Sequence, residues 1–194
     1  MDMIISYIRL HAVELIGAIL SLIYLYLSIR QKSSLWIFGF LCSAFYIVVF
    51  YQSKFYADMS LQFYYLAISV FGWFSWQKGK TPQGKAFVIR RTPVLPWIVI
   101  LLATTALFFI YYFILSKLTD SPLPAWDSFT TALSITATWM LARKYIEHWL
   151  LWIVVDAVSA GLYFYRELYP TAILFVVYTV MAAVGYWSWR KKMP

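Results

Sequence analysis

A chain of 194 residues that is 63% hydrophobic and 12% charged, with a mean hydropathy of +0.72, lies far outside soluble globular composition. Its polar side chains are too few to cover its apolar surface, so lipid is the solvent that fits. The formal charge of +8 would suit nucleic acid, but the basic residues fall in short clusters between apolar runs, the loop pattern of a membrane protein, so nucleic acid is excluded as a partner.

Seven apolar segments follow in chain order, near residues 11–29, 35–53, 58–77, 94–116, 125–142, 148–165 and 170–189. Each is close to the ~20 residues that cross a bilayer as a helix. The first follows neither a basic n-region nor a small-residue cleavage site, so it is expected to remain in the mature chain. The breaks are RQKS, QSKF, the longer polar linker KGKTPQGKAFVIRRTP, KLTDSPLP, ARKYIE and RELYP. Lipid admits helices or closed barrels, and no segment alternates with the period of a barrel strand. The expectation is an all-α membrane protein with seven transmembrane helices. The lone Cys42 lies within an apolar run and offers no disulfide framework.

Lys and Arg give the orientation. Loops 1–2, 3–4 and 5–6 with the C-terminus hold twelve of them, the opposite side only Arg9, Lys54, Lys117 and Arg166. Basic loops stay inside. The C-terminus is therefore expected in the cytoplasm and the N-terminus outside.

The third segment ends GWFSWQK and the seventh ends GYWSWRK, 113 positions later. An ungapped shift of 113 pairs Glu14 with Asp127, Ser21 with Ser134, Arg30 with Arg143 and Trp36 with Trp149. It also pairs Tyr56 with Tyr169, Tyr65 with Tyr178, Gly72 with Gly185, Trp76 with Trp189 and Lys78 with Lys191. Charged, Trp and Gly matches in one register mark a duplication. The predicted plan is a three-helix repeat over 1–80, a cytoplasmic linker and linker helix over 81–120, and a second repeat over 121–194. The linker helix restores the direction that three helices reverse, so the repeats run parallel. Parallel repeats are a transporter plan with substrate held near mid-membrane between the halves.

Candidate site residues lie on inward helix stripes. Asp58, Gln62, Tyr65, Ser69, Gly72 and Trp76 share one face of the third segment, and Thr171, Phe175, Tyr178, Ala182, Gly185 and Trp189 the matching face of the seventh. Gly72 and Gly185 suit close helix packing. Trp76 and Trp189 suit anchors at the headgroup level. An amide in mid-helix, Gln62, needs a partner in protein or substrate. Asp156, eight residues inside WLLWIVVDAVSAGLYFY, is costly in lipid unless engaged. Trp149, Trp152, Ser159 and Tyr163 share its face, and no Lys or Arg lies within that helix. Asp156 is either a hydrogen-bonded staple between helices or the anionic wall of an aromatic pocket. Such a pocket suits a flat cationic ring. The substrate-binding set is Asp156, Trp152, Trp149, Tyr163, Gln62, Tyr65, Tyr178 and Trp36, the counterpart of Trp149. Glu14 and Asp127 read as solvated interfacial carboxylates.

Other chemistries find no footing. Residues 79–86 fit G-x-x-x-x-G-K but end in Ala86 and follow a helix, so neither the Mg²⁺ hydroxyl nor the strand–helix frame of a phosphate loop is there. His11 and His148 stand at segment ends without ligand-spaced partners, so no metal is expected. No nucleophile–base pair is apparent. No cofactor is called for.

The repeat pattern, the FYQSKFYADM stretch, the WLLWIVVDAVS…LYFYRELYPTA run and the terminal GYWSWRK resemble the Pnu family of bacterial vitamin transporters over nearly the whole chain. That resemblance implies a fold like that of the sugar-transporting SWEET group. It further implies facilitated diffusion of a vitamin precursor across the inner membrane, with the product trapped by a cytoplasmic kinase. The implied cargo is nicotinamide riboside, with thiamine as the alternative and riboflavin carried by other relatives. An enzyme is not the reading, but a membrane enzyme or a non-transporting binding subunit stands as the alternative of another class. The other partners are the bilayer and, undecided by sequence, further copies of the chain in a homo-oligomer.

Overall fold

Every extended apolar run becomes a helix. The computed structural model describes residues 2–52, 56–79, 88–119 and 121–193, with side chains from Ile16 onward except at 49–50, 52 and 56–58. The helices are α1 (Asp2–Ile29), α2 (Leu35–Gln52), α3 (Tyr56–Gln77), α4 (Val94–Leu118), α5 (Pro124–Ala142), α6 (His148–Tyr165) and α7 (Tyr169–Lys192). The architecture is the expected one of seven helices. The main departure is α1, which starts at Asp2, ahead of the apolar window, because polar residues break a hydropathy window without breaking a helix. The described residues hold no strand, only an isolated bridge between Arg90 and Tyr145.

Starts and stops follow local chemistry. Pro124 and Pro170 occupy the first turns of α5 and α7, where a missing N–H costs nothing. The ends of α1, α5 and α6 are left-handed at Gln31 (φ 56°), Lys144 (φ 56°) and Glu167 (φ 60°). At all three the next N–H reaches back five residues: Lys32 to Leu27 (3.0 Å), Tyr145 to Met140 (3.0 Å) and Leu168 to Tyr163 (2.9 Å). This is the Schellman arrangement, formed here without the usual glycine.

Among the described residues, α4, α6 and α7 are long and apolar enough to cross a membrane. Val94 (77% exposed), Leu95, Leu101, Leu102, Phe109 and Phe113 of α4 face outward. An apolar exterior of this extent suits lipid and not water.

Two compact units divide the chain, Met1–Gln77 and Lys78–Pro194. In the first, α2 packs against both α1 and α3. In the second, α4 packs on α5, α5 on α6 and α6 on α7. The α4–α5 seam carries a hydroxyl pair, Thr104 to Thr136 at 2.7 Å, and an apolar knot of Ile100, Met140 and Tyr145. The linker helix thus packs with the second repeat.

Each unit has matching geometry at positions 113 residues apart. Trp36 lies edge-on to Trp76 at 5.7 Å and 89°, and Trp149 lies edge-on to Trp189 at 5.7 Å and 86°. A methyl group on Gly72 would strike the Trp36 ring, and one on Gly185 would lie 2.6 Å from the Trp149 ring. Each glycine is therefore a notch for the indole 36 positions before it. The Arg30 guanidinium caps the Tyr26 ring at 5.7 Å, as Arg143 caps Trp139 at 5.4 Å. One finding departs from expectation. Trp76 is 6% and Trp189 0% exposed, so both are core partners of another indole inside their own units and not outward anchors.

Candidate substrate site

The sequence-predicted residues separate into two sets, one in each unit. In the second unit, α6 presents Trp149, Trp152, Asp156, Ser159 and Tyr163 on one face, the spacing of a helix stripe. Trp149 is fixed between the Gly185 notch, the Trp189 ring and the His148 ring, 4.5 Å away. At the other end of the stripe Tyr163 packs on Phe175 at 5.1 Å, and Phe175 meets Tyr178 at 5.4 Å. These two anchor points set an antiparallel register between α6 and α7. Asp156 falls midway, level with the Tyr178–Ala182 stretch of α7.

Asp156 is 5% exposed. Among the described residues no hydrogen bond or ion pair engages its carboxyl. A carboxyl held between two aromatic clusters without a counter-charge can attract a cation more strongly than a solvated one could. Ser159, buried one turn on, adds a hydroxyl to the same face.

In the first unit Trp36 is buried in the Gly72 notch, whereas Gln62 and Tyr65 are half-buried on α3. Ser69 donates to the Tyr65 carbonyl at 2.7 Å. A methyl on Gly39 would lie 3.0 Å from the Ser69 hydroxyl and 3.2 Å from the Tyr24 ring, so α1, α2 and α3 converge there. The shift of 113 carries this trio onto Ala137, Trp152 and Ala182. Where the first repeat has large–none–small, the second has small–large–small, and both alanines are fully covered. Trp152, half-buried on α6, thus stands where the first repeat has a glycine with Tyr24 packed against it.

One contributor, His148, escaped the sequence reading, and another, Phe175, was read only as part of the α7 stripe. His148, taken as a segment end, is fully buried; its Nδ1 bonds the Tyr145 carbonyl at 2.6 Å and its ring lies 4.8 Å from Trp189. Its counterpart is Leu35, also fully buried, and that pairing was the available signal. Phe175 takes the place of Gln62 and links Tyr163 to Tyr178. Asp127 is half-exposed, accepts from the Ser121 hydroxyl at 2.6 Å and lies 3.6 Å from Arg166. It is tied to its neighbours rather than simply solvated. No cluster of metal ligands occurs among the described residues. The side chains of Glu14 and Asp58, and most of the 79–86 loop, lie outside the described residues.

An all-helical, multi-pass membrane protein whose buried carboxyl is engaged by no described residue fits the transporter class. The comparisons narrow this further. The model of the nicotinamide mononucleotide transporter family matches residues 11–191, and the chain belongs to that family. It is 24% identical to the nicotinamide riboside transporter PnuC of Escherichia coli over 201 residues, covering 91% of this chain and 84% of that protein. It is 26% identical to the riboflavin/roseoflavin transporter RibM of Streptomyces davaonensis, covering 91% and 83%. The crystal structure of a vitamin B3 transporter, PnuC, superposes with a TM-score of 0.75 at 23% identity, over 98% of this chain and 85% of that one. That likeness shares the fold.

Proposed function

We propose that this protein carries nicotinamide riboside across the inner membrane by facilitated diffusion. It works as a transporter and not as an enzyme. The carrying observation is Asp156, buried and engaged by no described residue, on a helix face that also carries Trp152 and Tyr163. The pyridinium ring of nicotinamide riboside is flat and cationic, and aromatic stacking with a nearby carboxylate matches both properties. The named PnuC relatives support the same cargo.

The basic residues of loops 1–2, 3–4 and 5–6 and of the C-terminus support a cytoplasmic C-terminus and an outward N-terminus. A carrier without an energy source only equilibrates its cargo, so a cytoplasmic kinase that phosphorylates the riboside makes uptake directional. No intramembrane Lys–acid pair occurs among the described residues, which supports transport independent of ion gradients. The test is uptake of labelled nicotinamide riboside into proteoliposomes holding the purified protein alone. We expect saturable uptake that neither a proton nor a sodium gradient accelerates. Several-fold acceleration by either would sink the facilitated-diffusion reading.

A second reading is favoured by the RibM relative, whose cargo carries no ring cation. Competition by unlabelled riboflavin and thiamine separates the three. Displacement by thiamine alone would retain the cation logic of Asp156, and displacement by riboflavin alone would remove it.

A further inference from the structure

The α1–α2 and α5–α6 turns have the same backbone hydrogen bonds, yet the residues leading into the next helix differ in kind. Lys32, Ser33 and Ser34 in the first repeat become Tyr145, Ile146 and Glu147 in the second. The reason is the segment 88–93 that leads into α4. The Arg90 N–H donates to the Lys144 carbonyl at 3.1 Å, and the Ile146 N–H donates back to the Arg90 carbonyl at 3.1 Å. The Arg90 guanidinium lies 5.0 Å over the Tyr145 ring. One carboxylate oxygen of Glu147 accepts both the Thr92 N–H at 3.0 Å and the Thr92 hydroxyl at 2.8 Å. Ile89, Thr92, Tyr145 and Ile146 are all buried by this contact. A polar turn has become a socket for a strap.

Glu147 is the residue from which α6 starts, and it does not cap the free N–H groups of that helix. The short side chains Asp, Asn and Ser ordinarily cap at that place, and the longer Glu does not. Its carboxylate is committed to Thr92 instead. Immediately after it come His148 and Trp149, then Asp156 two turns further on. Two freedoms of α6 decide what Asp156 faces: sliding along the helix axis and rotation about it. Trp149 in the Gly185 notch limits sliding against α7. Rotation is limited at the N-terminal end by the clasp.

We propose that Glu147 is a positioning residue: by clasping Thr92 it fixes the rotation of α6 and so the direction in which Asp156 is presented to the vitamin. This rests on the reading of Asp156 as the cargo contact. The experiment is therefore arranged so that the two can fail separately. Purified full-length protein is first titrated calorimetrically with nicotinamide riboside, thiamine and riboflavin, and whichever binds becomes the probe for the variants. Binding of riboflavin alone would fell the cation reading and leave the clasp to be judged with riboflavin.

With that probe, Glu147→Ala is expected to weaken binding roughly 5-fold, about the worth of one good hydrogen bond. Glu147→Gln retains an oxygen able to accept both bonds and is expected to stay within about twofold of wild type on the same scale. A merely structural role would lower the folded yield of Glu147→Ala and leave the affinity of the folded fraction unchanged. Unchanged affinity overturns the proposal, and so does a Glu147→Gln variant as weak as Glu147→Ala. Should Glu147→Ala fail to fold, Thr92→Cys with Glu147→Cys in a Cys42→Ser background serves instead. Binding should be weak with free thiols and restored by a short bis-thiol cross-linker. A cross-link that leaves binding weak overturns the clasp.

Discussion

The two repeats are the same machine frame fitted differently. Within each unit the frame is matched to a few tenths of an ångström: the indole pair, the glycine notch, the Schellman turn and the arginine over an aromatic ring. The fittings between those points diverge. Ser43 becomes Asp156, Leu35 becomes His148, Gln62 becomes Phe175, and Tyr24–Gly39–Ser69 becomes Ala137–Trp152–Ala182. The divergence is ordered. Among the described residues the first repeat buries the neutral hydroxyls Ser28, Ser43 and Ser69, while the second adds a carboxyl, Asp156, and an imidazole, His148, to the buried hydroxyls of α5 and α6. A duplicated frame allows this, because packing is fixed at the notches and the residues between them can change chemistry without moving the helices.

If the notches are the frame, filling one should do the most damage. Gly185→Val places a branched side chain on the Trp149 ring, where even a methyl lies 2.6 Å away. Overpacking at a helix crossing with no room to yield costs about 3 kcal/mol or more. Gly72→Val should be as harmful in the other repeat. Thermal unfolding of the detergent-solubilised protein checks both, and a variant as stable as wild type would deny the notch its role.

The exchanged trio gives the next largest effect. Trp152→Gly alone removes a large half-buried ring and is expected to cost ~2–3 kcal/mol. Adding Ala137→Tyr and Ala182→Ser rebuilds the first repeat's arrangement and should recover at least half of that loss. No recovery in the triple variant would mean that the two arrangements are not alternative fillings of one volume.

Asp156→Asn tests the chemistry rather than the frame. Removing the charge at constant shape should weaken nicotinamide riboside binding roughly 5- to 150-fold, a contact worth ~1–3 kcal/mol, with the folded yield unchanged. Ser43→Ala, at the matching place in the other repeat, should change affinity less than about twofold. Equal effects at both would erase the asymmetry described above.

Much of this was legible in the residues, and the reasons for the rest are physical. Helix number and the duplication follow from hydropathy and from an ungapped register, both of which survive any packing detail. The buried roles of Trp76 and Trp189 were not legible, because a tryptophan beside lysines at a helix end satisfies both an interfacial anchor and a core partner. The sequence does not say which way the ring turns. The strap was hidden for a different reason. Arg90 and Thr92 are separated by 54 to 56 residues, with α4 and α5 between, from the Lys144, Ile146 and Glu147 they meet, and polar linker residues look alike whether solvated or clasped. His148 was the instructive miss, since its counterpart Leu35 already pointed inward.

The smallest effect compares two of the left-handed residues, Gln31 and Lys144, both at φ 56°. Glycine at such a position relieves about 1 kcal/mol of backbone strain but returns most of it through the freer unfolded chain. Gln31→Gly should therefore change stability by no more than a few tenths of a kcal/mol. Lys144 carries a second burden: burial removes its ammonium from water and pushes its pKa below the usual lysine value. The folded state then binds fewer protons than the unfolded state just below the ordinary lysine pKa, so this group makes stability rise with pH in that alkaline window. Lys144→Gly removes both burdens and should stabilise more than Gln31→Gly at neutral pH. Its advantage over wild type should shrink as the pH is raised toward the ordinary lysine pKa, because the wild-type ammonium discharges there. Paired melting curves at neutral and alkaline pH read the difference directly. A gain at Lys144 that is the same at both pH values would assign it to the backbone alone and make the two turns equivalent in every respect but the strap.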